Sequence, residues 1–237
     1  PRTSSAASDV YKRQVINANN VDFLKDYMDE VAFMQVKEMG REIDTHATTT
    51  DPGLLSPPDY LNASVKNSGR AKFNADGNVV TDDGTAWIGG NPFPDAKDGR
   101  EAFANITMSW GRYDNTFYAI QEDDLNPDGS VAYSYDFAWI EMQATGRTSD
   151  PDGPYFKGKQ DMVRYQTAWF NAPQDVKGTA FLSTWPYDQR KFPELQGYLP
   201  AFKRVRRFPT NQRFEPLLPG PTWYLSDAWG AGDPWLT

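Results

Sequence analysis

Paired carboxylates are the residues of this sequence most able to do chemistry, since hydrolysis of a glycoside needs two acids on opposite sides of one sugar. Three pairs occur: Asp82 with Asp83, Asp123 with Asp124, and Asp150 with Asp152. All three adjoin Gly, Pro or Asn, which are the residues that form turns. The pairs are therefore expected to serve turn geometry, and no catalytic residues are predicted.

A metal site is the next chemistry to consider. Residues 124–129, Asp-Leu-Asn-Pro-Asp-Gly, match the first half of a calcium-binding loop. The twelfth position of such a loop needs a bidentate acid, but it is Tyr135 here, and Asp136 comes one residue late. A hairpin turn is therefore favoured over a calcium site, and no metal is predicted.

Composition excludes several further classes of function. The chain has no cysteine and a single histidine, His46, which removes disulfides, thiolate metal sites and most zinc or triad chemistry. Its net charge of −8 argues against a nucleic-acid partner. No run approaches the ~20 apolar residues of a membrane span. We therefore expect no cofactor, no nucleic-acid partner and no transmembrane segment.

A basic patch, Lys-Arg-Val-Arg-Arg at residues 203–207, lies between Phe202 and Phe208. Alternation puts Arg204 and Arg206 on one face. The patch could meet an anionic head group or an acidic partner. An edge strand guarded by charge is the favoured interpretation.

The elements that must position these residues follow from periodicity. A helix is predicted over 20–43, a polar loop over 44–70, a weak hairpin over 70–88 and a helix over about 98–111 with Asp98 as its N-cap. From residue 115 the period changes to two, which predicts strands at 116–122, 133–145, 161–171, 178–185 and within 196–208. Their short connections favour an antiparallel meander, so the predicted class is α+β.

Aromatic residues give the sharpest functional pattern. Tyr133, Tyr135, Phe137 and Trp139 alternate along one predicted strand. Such a face is either a filled core or the wall of an apolar cavity that binds lipid or another hydrophobe through burial. In the cavity alternative the ligand-binding residues are predicted to be Phe103, Ile106, Trp110, Tyr135, Phe137, Trp139, Tyr165, Trp169, Phe181 and Trp185.

A rigid turn precedes the second predicted helix. Its structural residues are Gly89, Gly90, Pro92, Phe93 and Pro94. Proline fixes φ and removes a donor, so this backbone cannot continue a strand or a helix. We expect Phe93 to be a buried anchor that joins the helix to the sheet.

The two ends of the chain have unusual sequences. Asp9-Val-Tyr-Lys-Arg-Gln14 resembles a translated sequencing adapter, so residues 1–14 are expected to be an artefact. Residues 15–70 are expected to hold the N-terminal helix and polar loop, and residues 71–237 an incomplete β domain. The chain is expected to be a truncated fragment.

Two segments resemble a known family. Gly89-Gly-Asn-Pro-Phe-Pro94, then Gly99-Arg-Glu-Ala102 and Trp110-Gly-Arg-Tyr113, resemble the DUF1329 pattern GGxPFPxPxxGxEAxWNHxxRYRG, with Phe103-Ala-Asn105 in place of Trp-Asn-His. Lys177-Gly-Thr-Ala180, Tyr198-Leu-Pro-Ala201 and residues 203–207 are similar to a second region of that family, shared with LolA/LolB-like lipoprotein-sorting proteins. Asp227 and residues 230–234 resemble the start of a further segment.

This resemblance implies an incomplete β-barrel: a curved antiparallel sheet with helices on its concave face, over an apolar cavity. It implies a non-catalytic carrier or chaperone of lipids or hydrophobic compounds in the periplasm or at the outer-membrane periphery. The implied partners are an outer-membrane barrel or an export pump. Two alternatives stay open: a carbohydrate-binding or glycoside-hydrolysing β-domain, and a structural partner of an outer-membrane barrel.

Overall fold

The computed structural model describes residues 14–46, 49, 51–109, 113–209 and 216 of the chain. The chain divides into two compact units, with the boundary between Leu55 and Ser56. Each unit has a hydrophobic core of its own. The domain boundary predicted after residue 70 stays a prediction.

The first unit combines a small sheet with short helices. Strand β1 (Val15–Ile16) pairs antiparallel with β2 (Ile43–Asp44). A 3-10 helix (Val21–Tyr27) and an α-helix (Glu30–Glu38) lie between them in sequence. The core of this unit consists of Ile16, Val21 and Val36, with Leu24, Met28, Phe33 and Ile43 packed around them.

The single helix predicted over residues 20–43 is wrong. The chain becomes extended at Met28 (φ −118°, ψ 149°), and a new helix begins after Asp29. The Asp29 carboxylate accepts a hydrogen bond from the Ala32 amide at 2.9 Å. An acidic side chain that caps a helix in this way starts a helix more readily than it continues one.

The segment predicted as a polar loop over residues 44–70 also contains helices. They span Pro52–Leu55 in the first unit and Pro58–Lys66 in the second. Both begin at a proline, whose fixed φ and missing N–H suit the first helical position. The prolines that favoured a loop therefore mark helix starts here.

The second unit begins with elements that sequence patterns predicted well. The weak hairpin forms between β3 (Lys72–Phe73) and β4 (Val79–Val80). The second predicted helix spans Gly99–Ser109 and is called the motif helix below. The Asp98 carboxylate accepts the Glu101 amide hydrogen at 2.9 Å, so the predicted N-cap is confirmed.

Six strands of the second unit form one antiparallel sheet in which each strand pairs with its sequence neighbours. They are β5 (Asn115–Leu125), β6 (Val131–Gln143), β7 (Met162–Ala172), β8 (Ala180–Pro186), β9 (Glu194–Leu199) and β10 (Arg204–Phe208). The predicted α+β class and antiparallel meander are confirmed. Within the described residues the sheet is open, with β5 and β10 as its edges.

The two faces of this sheet differ in burial. The inner face carries buried side chains at alternate positions: Tyr135, Phe137, Trp139, Glu141, Gln143, Arg164, Gln166, Ala168, Phe170, Phe181, Ser183 and Trp185. The motif helix packs on this face, where Met108 contacts the cluster of Val163 and Trp185. The outer face carries the residues between these positions, including exposed Phe117, Trp169, Leu182, Tyr198 and Val205.

Candidate functional site

The inner face holds a packed aromatic cluster. The ring centroids of Phe137 and Phe170 are 5.0 Å apart and stacked. Phe181 meets Phe170 edge to face at 6.3 Å, and Tyr135 does so at 6.1 Å. Gly197 allows this packing, because a Cβ there would lie 2.9 Å from the Phe181 ring. In this structure the rings contact one another, so they form a filled core.

Half of the predicted ligand-binding residues lie together on the inner face. These are Tyr135, Phe137, Trp139, Phe181 and Trp185, all buried. The first four belong to one core cluster, whereas Trp185 joins Val163 in a second cluster nearer the motif helix. The strand alternation was therefore predicted correctly for β6 and β8.

Tyr165 and Trp169 lie on the outer face, which corrects the predicted placement. Trp169 pairs with Ala138 and is 52% exposed, whereas the inner-face partner of Phe137 is Phe170. The alternation of β7 was predicted correctly, but the choice of its buried side was wrong. The reason is the pairing register, because a shift of one residue exchanges the two faces of a strand.

The motif helix presents a different side to the sheet from the predicted one. Ile106 is 52% exposed and Phe103 is half-buried, whereas Ala104 and Thr107 are fully buried. The buried side thus follows positions 104, 107 and 108, one step around the helix from the predicted apolar side. Trp110 lies outside the described residues.

A buried polar cluster lies between the two groups of aromatic residues. It is called the inner polar cluster and consists of Thr107, Trp139, Glu141, Gln143, Arg164, Gln166 and Trp185. Glu141 Oε1 accepts hydrogen bonds from Trp139 Nε1 at 2.9 Å and from Gln166 Nε2 at 2.8 Å. Trp185 Nε1 donates to Gln166 Oε1 at 2.7 Å. Both indole N–H groups on this face are therefore satisfied by polar side chains.

Arg164 is the most unusual residue of this cluster. Its side chain is 0% exposed, and its guanidinium stacks over the Trp185 ring at 4.4 Å. Nη1 donates to the Thr107 carbonyl at 2.8 Å, near the C-terminal end of the motif helix, where the helix dipole favours a cation. Nε and Nη2 have no hydrogen-bond partner among the residues that the structure describes. Burial lowers the pKa of Arg164 to about 10, while the Glu141 carboxylate opposes that shift.

Sequence reasoning missed this cluster because polar residues were assigned to solvent. A signal was present, since Glu141 and Gln143 continue the inner-face alternation of Phe137 and Trp139 on β6. Gln143 lies directly opposite Arg164 in the β6–β7 register. Following the predicted inner face to the end of β6 would have brought these residues into the site.

The predicted structural turn has the rigidity that its composition indicates. Gly89 and Gly90 both have positive φ, at 108° and 78°. Trp87 Nε1 donates to the Gly90 carbonyl at 2.8 Å, and Asn67 Nδ2 donates to the Gly89 carbonyl at 2.9 Å. Pro92 is buried and Pro94 is exposed. The turn is thus fixed to the rest of the second unit on several sides.

Asn105 of the motif helix holds Phe93 of this turn. Its Oδ1 accepts the Phe93 amide hydrogen at 2.9 Å, and its Nδ2 donates to the Phe93 carbonyl at 2.7 Å. Phe93 is half-buried rather than fully buried, and its ring stacks on Phe73 at 5.1 Å. Asn105 therefore links the turn to the helix.

Two of the acidic pairs serve turns, as predicted, whereas Asp123 and Asp124 lie within strand β5, which corrects the prediction for that pair. Asp83 accepts hydrogen bonds from Thr81 and Thr85, and these bonds hold its pKa below the usual range. Asp150 accepts the Asp152 amide hydrogen at 2.9 Å, which lowers the pKa of Asp150. Residues 126–130 form the hairpin turn between β5 and β6, where Asp128 accepts the amide hydrogen of Ser130. Among the described residues no cluster of potential metal ligands occurs.

The basic patch forms edge strand β10, which confirms the favoured interpretation. Arg206 lies opposite Gly197 and Val205 opposite Tyr198, so the predicted alternation holds within the strand. Lys203 precedes it in a left-handed turn with φ 49°. Arg207 forms an ion pair with Glu194 on β9.

A surface groove of about 720 Å³ opens beside the β3–β4 hairpin. Arg190 donates from Nη1 to Asp76 at 2.6 Å and from Nε to Asp188 at 2.8 Å across it. The hydrogen bond from Arg190 is the chief cause that holds the pKa of Asp188 below its usual range. Arg190 is thus already paired with two of the acidic residues that line the groove.

Comparison with known proteins places the chain in a family. No curated protein matches it. A DUF1329 family protein from Desulfovibrio piger ATCC 29098 is 19% identical, with a TM-score of 0.35, and the match covers 48% of this chain and 42% of that one. A putative outer membrane lipoprotein-sorting protein domain from Vibrio parahaemolyticus is 21% identical, with a TM-score of 0.33, over 48% of this chain and 40% of that one. The matches therefore span less than half the length of these two solved relatives.

None of the helices in the described part of the chain is both long and apolar enough to cross a membrane.

The family model DUF1329, described as a protein of unknown function, matches residues 15–236. Because this match extends over nearly the whole sequence, the chain belongs to the DUF1329 family.

Proposed function

We propose that this protein is a non-catalytic carrier or chaperone of lipids or other hydrophobic compounds in the cell envelope. It would work in the periplasm or at the outer-membrane periphery, with an outer-membrane or export partner. The observation that carries the proposal is the inner face, where aromatic side chains from three neighbouring strands, Phe137, Phe170 and Phe181, form one continuous apolar surface. The motif resemblance to lipoprotein-sorting proteins supports the same interpretation.

The energetics of such a surface favour a flexible apolar ligand. Each buried methylene group contributes about 0.8 kcal/mol, whereas an aromatic pair contributes about 0.5–1.5 kcal/mol beyond its buried area. The free energy gained by burying a long acyl chain between the rings therefore exceeds that of the few ring contacts that the acyl chain separates. Among the described strands the sheet has open edges at β5 and β10, so these strands can move apart without breaking a closed ring of strand pairs.

The state of the acidic residues supports a non-catalytic role. A general acid at neutral pH needs a raised pKa. The pKa values of Asp83, Asp128 and Asp150 are instead lowered by hydrogen bonds within their own turns. These carboxylates stay ionised and are engaged in holding backbone geometry.

Displacement of a neutral fluorescent naphthylamine dye tests this proposal. The 237-residue chain should bind the dye, and phospholipids or long-chain alcohols should displace it. Phe137→Leu on the inner face should weaken dye binding at least about threefold, since it removes about 1 kcal/mol of aromatic contact between the Phe137 ring and the dye. Phe117→Leu on the outer face, where Phe117 is exposed, is the matched control and should leave binding unchanged.

Native mass spectrometry of the chain after incubation with envelope extract provides an independent readout. A carrier should retain lipid adducts. A chain that neither retains lipid nor binds the dye would sink the proposal.

The outer face favours a second candidate, a carbohydrate-binding function. Trp169 and Tyr198 are half-exposed and occupy one cross-strand row, separated by Ala180. Adjacent strands lie about 4.8 Å apart, so the two rings are roughly 10 Å apart on a flat surface, a spacing that an oligosaccharide can bridge. Calorimetric titration with oligosaccharides tests this: Trp169→Ala should abolish binding and Phe137→Leu should not. Absence of binding by the wild-type chain would eliminate this candidate.

A further inference from the structure

The inner polar cluster contains four hydrogen-bond donor atoms that find no acceptor within the described part of the chain. They are Nε and Nη2 of Arg164, Nε2 of Gln143 and the hydroxyl group of Thr107. All three side chains are at least nine-tenths buried. A buried donor that lacks a partner costs about 1–3 kcal/mol, and more when it is charged. Such a set of donors therefore calls for an acceptor that the described chain does not supply.

The residues that carry these donors are neighbours. Gln143 and Arg164 face each other directly across β6 and β7, where opposite Cβ atoms lie about 5 Å apart. Thr107 is joined to the same guanidinium through its carbonyl oxygen at 2.8 Å. An acceptor group beside the guanidinium would therefore have Gln143 and Thr107 as its neighbours.

The chemistry of the acceptor follows from charge. A guanidinium forms its strongest hydrogen bonds with a carboxylate or a phosphate. On the inner face, Glu141 and Gln166 form the next cross-strand pair after Gln143 and Arg164. Glu141 Oε1 already accepts hydrogen bonds from Trp139 and Gln166. Repulsion from Glu141 grows with the charge of the ligand, so a monoanionic carboxylate suits this place better than a phosphate dianion.

The aromatic cluster adjoins these donors. Trp139 belongs to the cluster of Phe137 and Phe170 and also donates to Glu141. An acyl chain along the aromatic surface would therefore place its head group at Arg164. We propose that Arg164, with Gln143 and Thr107, binds the carboxylate head group of a long-chain amphiphile whose apolar chain packs on the inner-face aromatics. This inference rests on the proposed carrier function and specifies its ligand class.

Two ligands that have the same alkyl chain but different head groups test the inference on the 237-residue protein. Dodecanoate should bind at least about tenfold more tightly than dodecanol, since a charge-assisted hydrogen bond contributes about 1.5–3 kcal/mol and 1.4 kcal/mol is tenfold. Acetate, which presents the head group alone, should not compete at equal concentration. Competition by acetate as strong as that by dodecanoate would identify a site for free anions and overturn the proposal.

Variants test whether the inner polar cluster causes the preference for dodecanoate over dodecanol. Arg164→Met should bring the ratio of the two affinities close to one, and Gln143→Leu should lower it by a smaller factor, about threefold. Arg207→Met removes an exposed arginine of β10 and should keep the full ratio. Should Arg164→Met fail to fold, Gln143→Leu decides the question.

The outcomes separate this inference from the proposed function. Equal affinity of the wild-type chain for dodecanoate and dodecanol would refute the head-group site and leave a carrier of neutral hydrophobes. Retention of the preference in the folded Arg164 or Gln143 variants would also refute it. Failure of both ligands to bind would refute the carrier function together with this site.

Discussion

Gly90 gives the sharpest prediction about stability. It has φ 78°, and a Cβ atom at this position would lie 2.6 Å from Ser64 Cα and 2.7 Å from the carbonyl carbon of Ala63. Both neighbours are backbone atoms of the helix Pro58–Lys66, so no side-chain rotation can relieve the contact. Gly90→Ala should therefore force that helix away from the turn.

The expected loss has two parts. A left-handed conformation costs a residue with a Cβ about 1–2 kcal/mol. Forcing extra volume into a packed site costs a further amount of about 1–3 kcal/mol. Gly90→Ala should accordingly lower the free energy of unfolding by about 2–5 kcal/mol.

Gly84 is the matched control, since it has φ 85° but no heavy atom within 4 Å of its Cβ position. Gly84→Ala should cost only the conformational part, about 1–2 kcal/mol. Urea unfolding followed by tryptophan fluorescence measures both variants, with equal m-values as the check on two-state behaviour. Equal losses for the two variants would refute the argument that close backbone approach makes Gly90 necessary.

Three further substitutions probe contacts around the same turn and groove. Asn105→Ala removes both hydrogen bonds to the Phe93 backbone and should cost about 1–3 kcal/mol in urea unfolding; a loss below about 0.5 kcal/mol would show that the turn holds without the helix. Tyr187→Phe removes the hydroxyl that accepts from the Trp87 amide at 2.6 Å, so thermal unfolding should show a loss of about 1–3 kcal/mol, and an unchanged midpoint would contradict this. Asp188 has a lowered pKa, so its ionised form stabilises the fold above pH ~4, and this contribution is lost as the pH falls further. Asp188→Asn should therefore cost at most about 1 kcal/mol at pH 7, since solvent screens the ion pair, and the difference from wild type should shrink below pH ~4; a difference independent of pH would contradict the assignment.

Local elements with strong capping or turn chemistry could be predicted from the sequence. Asp98 and Glu101 define the start of the motif helix through contacts three residues apart. The turn at residues 126–130 is fixed by Asp128, whose carboxylate accepts the Ser130 amide hydrogen two residues further on. In both cases the determining interactions lie within a few residues, so the sequence window contains them.

The N-terminal region was harder to predict because its signals compete. Apolar residues continue at helical spacing through Met28, yet the Asp29 side chain supplies a cap that restarts the helix there. Pro52 and Pro58 were interpreted as loop formers, although each stands at a helix start. Proline is compatible with both structures, and among the described residues only the second of these helices, Pro58–Lys66, has a buried side chain, Tyr60.

Strand β7 shows the limit of periodicity most clearly. Alternation establishes that Tyr165 and Trp169 share a face and that Arg164 and Gln166 share the other, but it does not determine which face is buried. The register of β6 decides, because Phe137 pairs with Phe170 after a bulge at Asp136. That pairing brings Arg164 inside, against the expectation from residue hydrophobicity.

The burial of Arg164 is therefore a feature that hydrophobic packing alone does not explain. Turning the other side of β7 inward would bury Trp169 and expose the guanidinium, and an apolar core of similar volume is often as stable as a buried ionic group or more so. The structure instead places the cation beside Glu141 and the Thr107 carbonyl, and two of its nitrogen atoms have no acceptor among the described residues. Departures from stable packing concentrate at functional sites. The comparison of dodecanoate with dodecanol is decisive for this reason: a preference that depends on Arg164 gives the buried charge a function that compensates its cost in stability.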